Sequence, residues 1–227
     1  MPGPTLLLGA PGVGKGTQAK LIMAKFAIPQ ISTGDLLRRH REDQTSLGLM
    51  ADDLMRRGVL VPDDLVNEMV AARLAEADCV RGYILDGFPR TLAQANWLDR
   101  HVNALSQATP VVAINVQVSD AVLLRRITGR RICPDGHIFN IYTQAPRVDG
   151  RCDIDGLPLE QRSDDSEQVF QHRMQTFHAQ TTPVIEHYRA GGRFAEVDGS
   201  LRVSDVNEAI EEALTNFRTD PPAQRGR

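Results

Sequence analysis

The sequence predicts an α/β fold in which a parallel β-sheet carries helices on both faces. Two observations predict it. Short, wholly apolar runs recur along the chain, separated by stretches of helical spacing, and this alternation builds parallel sheets through successive crossovers. The first run is closed by a glycine-rich loop and followed at once by a helical stretch, which is how a βαβ unit opens.

Taken in order, Thr5-Leu6-Leu7-Leu8 is apolar on both faces and reads as a buried strand. From Thr17 to Phe26, Leu21, Ile22 and Phe26 fall at helical spacing. Residues 32–61 are mainly helical in pattern, stop at Gly58 and restart at Pro62-Asp63-Asp64, where a simple crossover would be shorter. Asp64 to Leu74, Leu92 to Leu98 and Ala121 to Ile127 read as helices. Tyr83-Ile84-Leu85, Val111 to Val116 and Phe194 to Val197 read as buried strands. Residues 129–165 are rich in Gly, Pro, Asp and Arg and contain the alternating piece Ile138-Phe139-Asn140-Ile141-Tyr142. They are expected to form a small β-rich insertion, because long structureless loops are uncommon in compact domains. Ser204 to Phe217 reads as an amphipathic closing helix, and residues 218–227 as a tail that frays.

A chain of 227 residues has room for one globular domain with insertions. A formal net charge of -3 argues against a general electrostatic grip on nucleic acid or an anionic membrane. Met1-Pro2-Gly3-Pro4 carries no charged leader or cleavage site, and no stretch approaches the ~20 apolar residues of a spanning helix. Cys79, Cys133 and Cys152 are too few for a disulfide framework, so a reducing cytoplasm is expected. No apolar stripe demands a partner, and a monomer is expected.

Gly9-Ala10-Pro11-Gly12-Val13-Gly14-Lys15-Gly16-Thr17 has the spacing and the strand–helix setting of a phosphate-binding loop. Glycines let backbone N–H groups turn inward as an anion nest, and the helix N-terminus adds partial positive charge. Lys15 would bridge terminal phosphates, and Thr17 would reach Mg²⁺ or its water shell. Such loops serve switches and motors as well as kinases, so this motif fixes phosphate binding and not the reaction.

Leu85-Asp86-Gly87-Phe88-Pro89-Arg90 narrows the choice. Ligands of parallel sheets lie beyond the carboxyl ends of the strands, so Asp86 should face the phosphate loop, where a carboxylate holds magnesium-bound water. Arg90 then points toward the same phosphates. Taken alone, Asp86 would equally be a turn residue and Arg90 a solvated charge.

With these residues in place the chain resembles the adenylate kinase family, from Leu6 to about Phe217. The matching stretches are residues 9–17, residues 28–38, Asp86 to Arg90 with Thr91 and Gln94, Gly129-Arg130-Arg131, and Arg162 followed by Asp164-Asp165. The resemblance implies a three-layer fold like that of the P-loop nucleoside triphosphate hydrolases, with a five-stranded parallel sheet. It divides the chain into a core (1–31, 62–128 and 166–217), a helical NMP-binding insertion (32–61) and a lid (129–165). The implied reaction is reversible, magnesium-dependent transfer of a phosphoryl group from ATP to AMP, giving two ADP.

Carried over residue by residue, ATP would meet Gly12, Val13, Gly14, Lys15, Gly16, Thr17 and Arg130, with Ile138, Phe139 and the backbone near Leu201 at its base. AMP would meet Thr33, Arg38, Arg90, Gln94, Arg162, Arg173 and the backbone at Val59, Leu60, Val61, Gly87, Phe88 and Pro89. Gln94 suits an adenine edge because a carboxamide offers both donor and acceptor. Arg38 and Arg90 suit a monophosphate by bidentate pairing. Lys15, Asp86, Arg90, Arg126, Arg130, Arg162 and Arg173 form the implied catalytic set. Dispersed arginines make sense because the loose transition state of phosphoryl transfer is served by positioning and charge. Closure of both insertions would also exclude water, which competes as acceptor.

Many bacterial members of the family hold zinc in the lid with Cys-x2-Cys and Cys-x2-Cys/Asp. Here the second cysteine is absent and the segment is one residue short. Cys133, His137, Cys152 and Asp155 would still suit a tetrahedral structural zinc, with Asp135 as rival to His137. A hydrogen-bonded cluster without metal is the alternative. Two other readings stand beside the AMP kinase: another monophosphate kinase (UMP/CMP acceptor, or GTP donor) and a nucleotide-dependent switch. Thr33 and the Arg90-Thr91-x-x-Gln94 spacing favour AMP, and a switch would lack the acceptor set.

Overall fold

A computed structural model describes residues 3–104 and 109–219. Its main sheet has five parallel strands: β1 (Pro4–Leu8), β2 (Gln30–Ser32), β3 (Tyr83–Asp86), β4 (Val112–Gln117) and β7 (Phe194–Asp198). Their order is β2-β3-β1-β4-β7. Period-two alternation divides the core. Leu6, Leu8 and Leu85 face a cluster with helices α4 (Asp63–Leu74), α5 (Leu92–Asn103) and α8 (Thr182–Ala190). Leu7, Ile84 and Ile114 face the opposite cluster with α1 (Lys15–Phe26), α6 (Asp120–Thr128), α7 (Glu167–Thr176) and α9 (Val203–Thr219). The expected three layers are therefore present.

The register places the site. Leu7 of β1 lies beside Asp86 of β3, and Ser32 of β2 lies on the other side of Asp86. The glycine loop after β1, the start of α2 (Thr33–Glu42) after β2, and Asp86 thus share the carboxyl end of the sheet. Helix starts are fixed locally: Ser32 accepts from the Asp35 N–H, Thr91 from Gln94 and Ser166 from Val169.

Residues 32–61 form α2 and α3 (Ser46–Arg56), as the pattern predicts. Residues 129–165 form a two-stranded antiparallel piece, β5 (Arg130–Ile132) and β6 (Ile138–Asn140), with a small core of Cys133, Phe139 and Cys152.

Several elements depart from the sequence reading. Strand β2 has only three residues and one fully buried side chain, Ile31, too short for a periodicity signal. Helices α7 and α8 are joined by a five-residue π-helical turn, Phe177–Thr181. The tail does not begin at 218: α9 continues to Thr219, and Arg218 donates to the carbonyls of Pro4 and Pro110. Those carbonyls give a guanidinium reason to stay; residues 220–227 lie outside the described residues.

Candidate active site

The glycine loop bends where only glycine is at ease. Gly9, Gly12 and Gly14 have φ of 132°, 88° and 101°. At Gly9 a Cβ would also fall 2.4 Å from the Val116 carbonyl oxygen, so side chains are excluded twice over. Helix α1 begins at Lys15, directly behind Gly14, and its N-terminus faces the loop. The Lys15 ammonium donates to the carbonyls of Gly9 at 2.7 Å and Ala10 at 3.0 Å. Burial lowers its pKa to about 8, against the opposing pull of Asp86 and with the help of Arg90 and Arg173. Asp86 accepts from Gln30 at 3.0 Å and its oxygen lies 3.5 Å from where a Cβ of Gly16 would sit. Burial raises the Asp86 carboxyl pKa, and Lys15 and Arg90 oppose the rise.

Two clefts open at this end of the sheet. The first, about 550 Å³, is lined by the loop at Gly9, Pro11 and Lys15, by Gly87, Phe88, Pro89 and Arg90, and by Arg173 and the π-helical turn. The second, about 410 Å³, runs between Thr33, Val59, Leu60, Val61 and Gln94. Leu60, Gly87 and Arg90 line both. Gly87, at φ 77°, leaves room for this shared wall: a Cβ there would lie 2.8 Å from an Arg90 nitrogen and 3.1 Å from the Thr33 hydroxyl. Thr33 Oγ1 donates to the Gly87 carbonyl at 2.8 Å, and Arg90 Nε donates to the same carbonyl at 2.7 Å. Phe88 and Pro89 fall on the first cleft, while Thr33, Gln94 and the 59–61 segment fall on the second.

Gln94 is buried and held at both ends of its amide. The Arg90 backbone N–H donates to Oε1 at 2.7 Å, and Nε2 donates to Asp63 at 2.7 Å. The other Asp63 oxygen accepts from Thr91 at 2.7 Å. From sequence Asp63 reads only as the start of a helix.

The arginines gather, each beside a carboxylate or another arginine. Arg173 donates to Asp164 at 2.8 Å, Arg130 holds Asp165 by two hydrogen bonds, and Arg38 pairs with Asp35. Burial lowers the pKa of Arg90 and Arg162 to about 10; Arg173 depresses Arg90 further, and Arg130 depresses Arg162. Burial alone would raise the Asp164 carboxyl, but Arg173, Arg130 and Arg162 bring it below its ordinary value. Packing of like charge at this density is a standing cost that a polyanion would relieve. Arg126 is anchored differently, donating to Val13 at 3.3 Å and Gly199 at 2.9 Å on the loop's far side. Asp164 and Asp165 belong to the matched stretch, but their pairing with Arg173 and Arg130 is a product of the fold.

In the lid, Ile138 and Phe139 point opposite ways, as neighbours on a strand must. Ile138 is exposed, whereas Phe139 is packed into the lid's own core. Of the two residues expected at the donor's base, Ile138 is therefore the one whose side chain lies on the surface. Leu201 is half exposed, on the turn just beyond the Gly199 carbonyl that Arg126 holds.

Cys133, His137, Cys152 and Asp155 bring one ligand atom each within 4.8 Å of one another. Cys133 Sγ lies 3.3 Å from His137 Nδ1 and 3.2 Å from Asp155 Oδ2; Cys152 Sγ lies 3.5 Å from the same imidazole nitrogen. Two thiols, an imidazole and a carboxylate at this spacing fit a tetrahedral zinc in number and kind. Asp135, the rival to His137, is exposed and outside the group.

A family model described as adenylate kinase matches residues 7–193. A Caldicellulosiruptor bescii protein named adenylate kinase is 44% identical over 92% of this chain and 97% of its own length. One from Lachnospira eligens with the same name is 45% identical over 92% of this chain and 98% of its own length. For a third such protein, from Thermosipho melanesiensis, the identity is 44% over 94% and 98%.

Proposed function

The chain belongs to the adenylate kinase family, a phosphotransferase acting between ATP and AMP, and we propose how its two clefts divide that work. The first takes the triphosphate of ATP, with Gly12, Val13, Gly14, Gly16 and Thr17 of the loop around it and Lys15 presenting the charge. The second takes AMP, with Thr33, Val59, Leu60, Val61 and Gln94 about the nucleoside and Arg38 and Arg90 about its phosphate. The observation that carries this reading is the wall common to both clefts, formed by Leu60, Gly87 and Arg90. A phosphoryl group between two nucleotides seated on either side would lie against Arg90, beside Lys15, whose basicity burial lowers and the nearby Arg90, Arg173 and Arg130 lower further.

The transfer needs no general base, since its transition state is served by positioning and charge. Arg162 belongs to the same group, and Arg126 supports the loop from behind. Thr17 and Asp86 would hold the magnesium carried by ATP, since both offer the hard oxygen donors that suit it. Residues 32–61 and 129–165 would serve as the covers of the AMP and ATP clefts, with Ile138 and the Leu201 backbone nearest the donor's base.

In the lid we assign a structural zinc to Cys133, His137, Cys152 and Asp155. Support comes from two buried cysteines converging on one imidazole nitrogen, in an insertion whose apolar core is otherwise very small. Cys79, Cys133 and Cys152 are not joined in disulfides, in keeping with a reducing cytoplasm. No helix among the described residues is long and apolar enough to cross a membrane. The large exposed apolar side chains are spread over separate elements, which supports a monomer.

A coupled assay with ATP and each nucleoside monophosphate tests the acceptor assignment. ADP should form with AMP far ahead of UMP or CMP, and preference for a pyrimidine acceptor would overturn it.

A further inference from the structure

We propose that Asp63 is a specificity-determining positioning residue: by fixing which way round the Gln94 carboxamide lies, it lets the acceptor cleft take a 6-aminopurine and refuse a 6-oxopurine. The inference rests on the assignment of Gln94 to the acceptor's base.

A carboxamide is nearly symmetric in shape and opposite in chemistry at its two ends, so its orientation is set by its partners. Gln94 has two, and both vote the same way. Asp63 Oδ1 only accepts, so it takes the Nε2 end, at 2.7 Å. The backbone N–H of Arg90 only donates, so it takes the Oε1 end, also at 2.7 Å. Asp63 is itself fixed, because its second oxygen accepts from Thr91 at 2.7 Å and Thr91 caps the helix that carries Gln94.

After these bonds Gln94 retains one N–H and one lone pair, on a side chain only 2% exposed that lines the second cleft. Their order along the amide is now invariant. A 6-aminopurine presents an acceptor at N1 beside a donor at its amino group, and pairs with both. A 6-oxopurine of the same size presents N–H at N1 beside a carbonyl, so each group would meet its like. Refusal then comes from unpaired buried polar groups rather than from size, which is how hydrogen-bonding sites achieve steep discrimination. Were the amide free to turn over, it would serve either base.

The experiment compares kcat/KM for AMP and for inosine 5′-monophosphate, with ATP as donor. A hydrogen bond to a charged group carries enough energy that Asp63→Leu should lower the AMP-to-IMP ratio about tenfold or more. Asp63→Asn keeps a carbonyl acceptor for Nε2 and should hold the ratio within about threefold of the parent. Asp63→Ala is read in the same way should the leucine variant fail to fold, with circular dichroism and thermal melting reporting integrity. A fall in AMP turnover with the ratio unchanged would mean that Asp63 merely supports its helix, and would overturn the proposal. Gln94→Leu separates the two levels. If that variant still discriminates, Gln94 does not read the base and both ideas fall; if it loses discrimination while Asp63→Leu and Asp63→Ala keep it, only the role of Asp63 falls.

Discussion

Arg130 and Asp165 clasp each other through two hydrogen bonds, Nε to Oδ2 at 2.8 Å and Nη2 to Oδ1, and the Asp165 carboxylate is fully buried. The pair joins the start of β5, which Arg130 opens, to the stretch just before α7. Removing one partner leaves the other charge in a poor medium. Asp165→Asn should therefore cost about 3 kcal/mol, in the range found for broken buried pairs. Urea denaturation checks it, and a loss under about 1 kcal/mol would show the clasp to be idle.

Lys15→Ala should lower kcat/KM by at least about 10²–10³-fold, the scale seen when a preorganised donor to developing charge is removed. The melting temperature should hold or rise, because a buried ammonium is being deleted. The coupled assay beside thermal melting tests both, and near-normal turnover would refute the role of the loop.

Lysine titration should also be visible in pH profiles. The Lys15 pKa is lowered to about 8 from 10.5, so the free enzyme loses this charge as pH rises through about 8. The alkaline limb of kcat/KM, which reports the free enzyme, should fall there, while that of kcat should lie higher because bound polyphosphate favours the charged form. For stability the sign is opposite: the folded state gives up the proton before the unfolded one does, so this group's contribution improves with pH between about 8 and 10.5. Lys15→Met should remove that improvement in melting temperature.

Gly87→Ala should be more damaging than its single methyl suggests. The φ of 77° disfavours any side chain, and the new Cβ would press on Arg90 and Thr33 at 2.8 and 3.1 Å. Activity should drop by about 5- to 150-fold, the equivalent of 1–3 kcal/mol of misplacement. The assay at saturating AMP measures it, and unchanged kcat would mean that the shared wall tolerates displacement.

If the lid holds zinc, metal analysis should return about one equivalent per chain, and a strong chelator should lower the melting temperature. Cys133→Ser and Cys152→Ser should each abolish retention. Metal-free protein with unchanged melting would favour the hydrogen-bonded cluster instead.

Much of this site was legible because phosphate chemistry demands particular residues in a particular order. The 9–17 loop needs glycine at fixed places, and the Asp86–Arg90 turn follows from the end of a buried strand. What escaped is of another kind. Asp63 looks like the start of a helix until α4 and α5 are packed and Gln94 reaches it. That Phe139 packs against Cys133 and Cys152 shows only once the lid is folded. The π-helical turn has no local pattern, yet Thr181 within it donates to the Arg90 carbonyl at 2.8 Å. Partners supplied by distant segments leave no periodicity to read.

Arg218 ties the last helix back to the first strand, through the carbonyl of Pro4, and α9 supplies Val206, Ile210 and Leu214 to the cluster beneath that strand. The phosphate loop is thus completed only when a segment made long after it arrives. Some 200 residues separate the two, roughly 10–40 s of synthesis at ordinary rates. Until α9 follows, the apolar side of Leu7, and of Ile114 once it is made, lacks its final cover. A nascent chain stalled before α9 would carry every glycine of the nucleotide loop and still lack the Val206, Ile210 and Leu214 that pack beneath its strand.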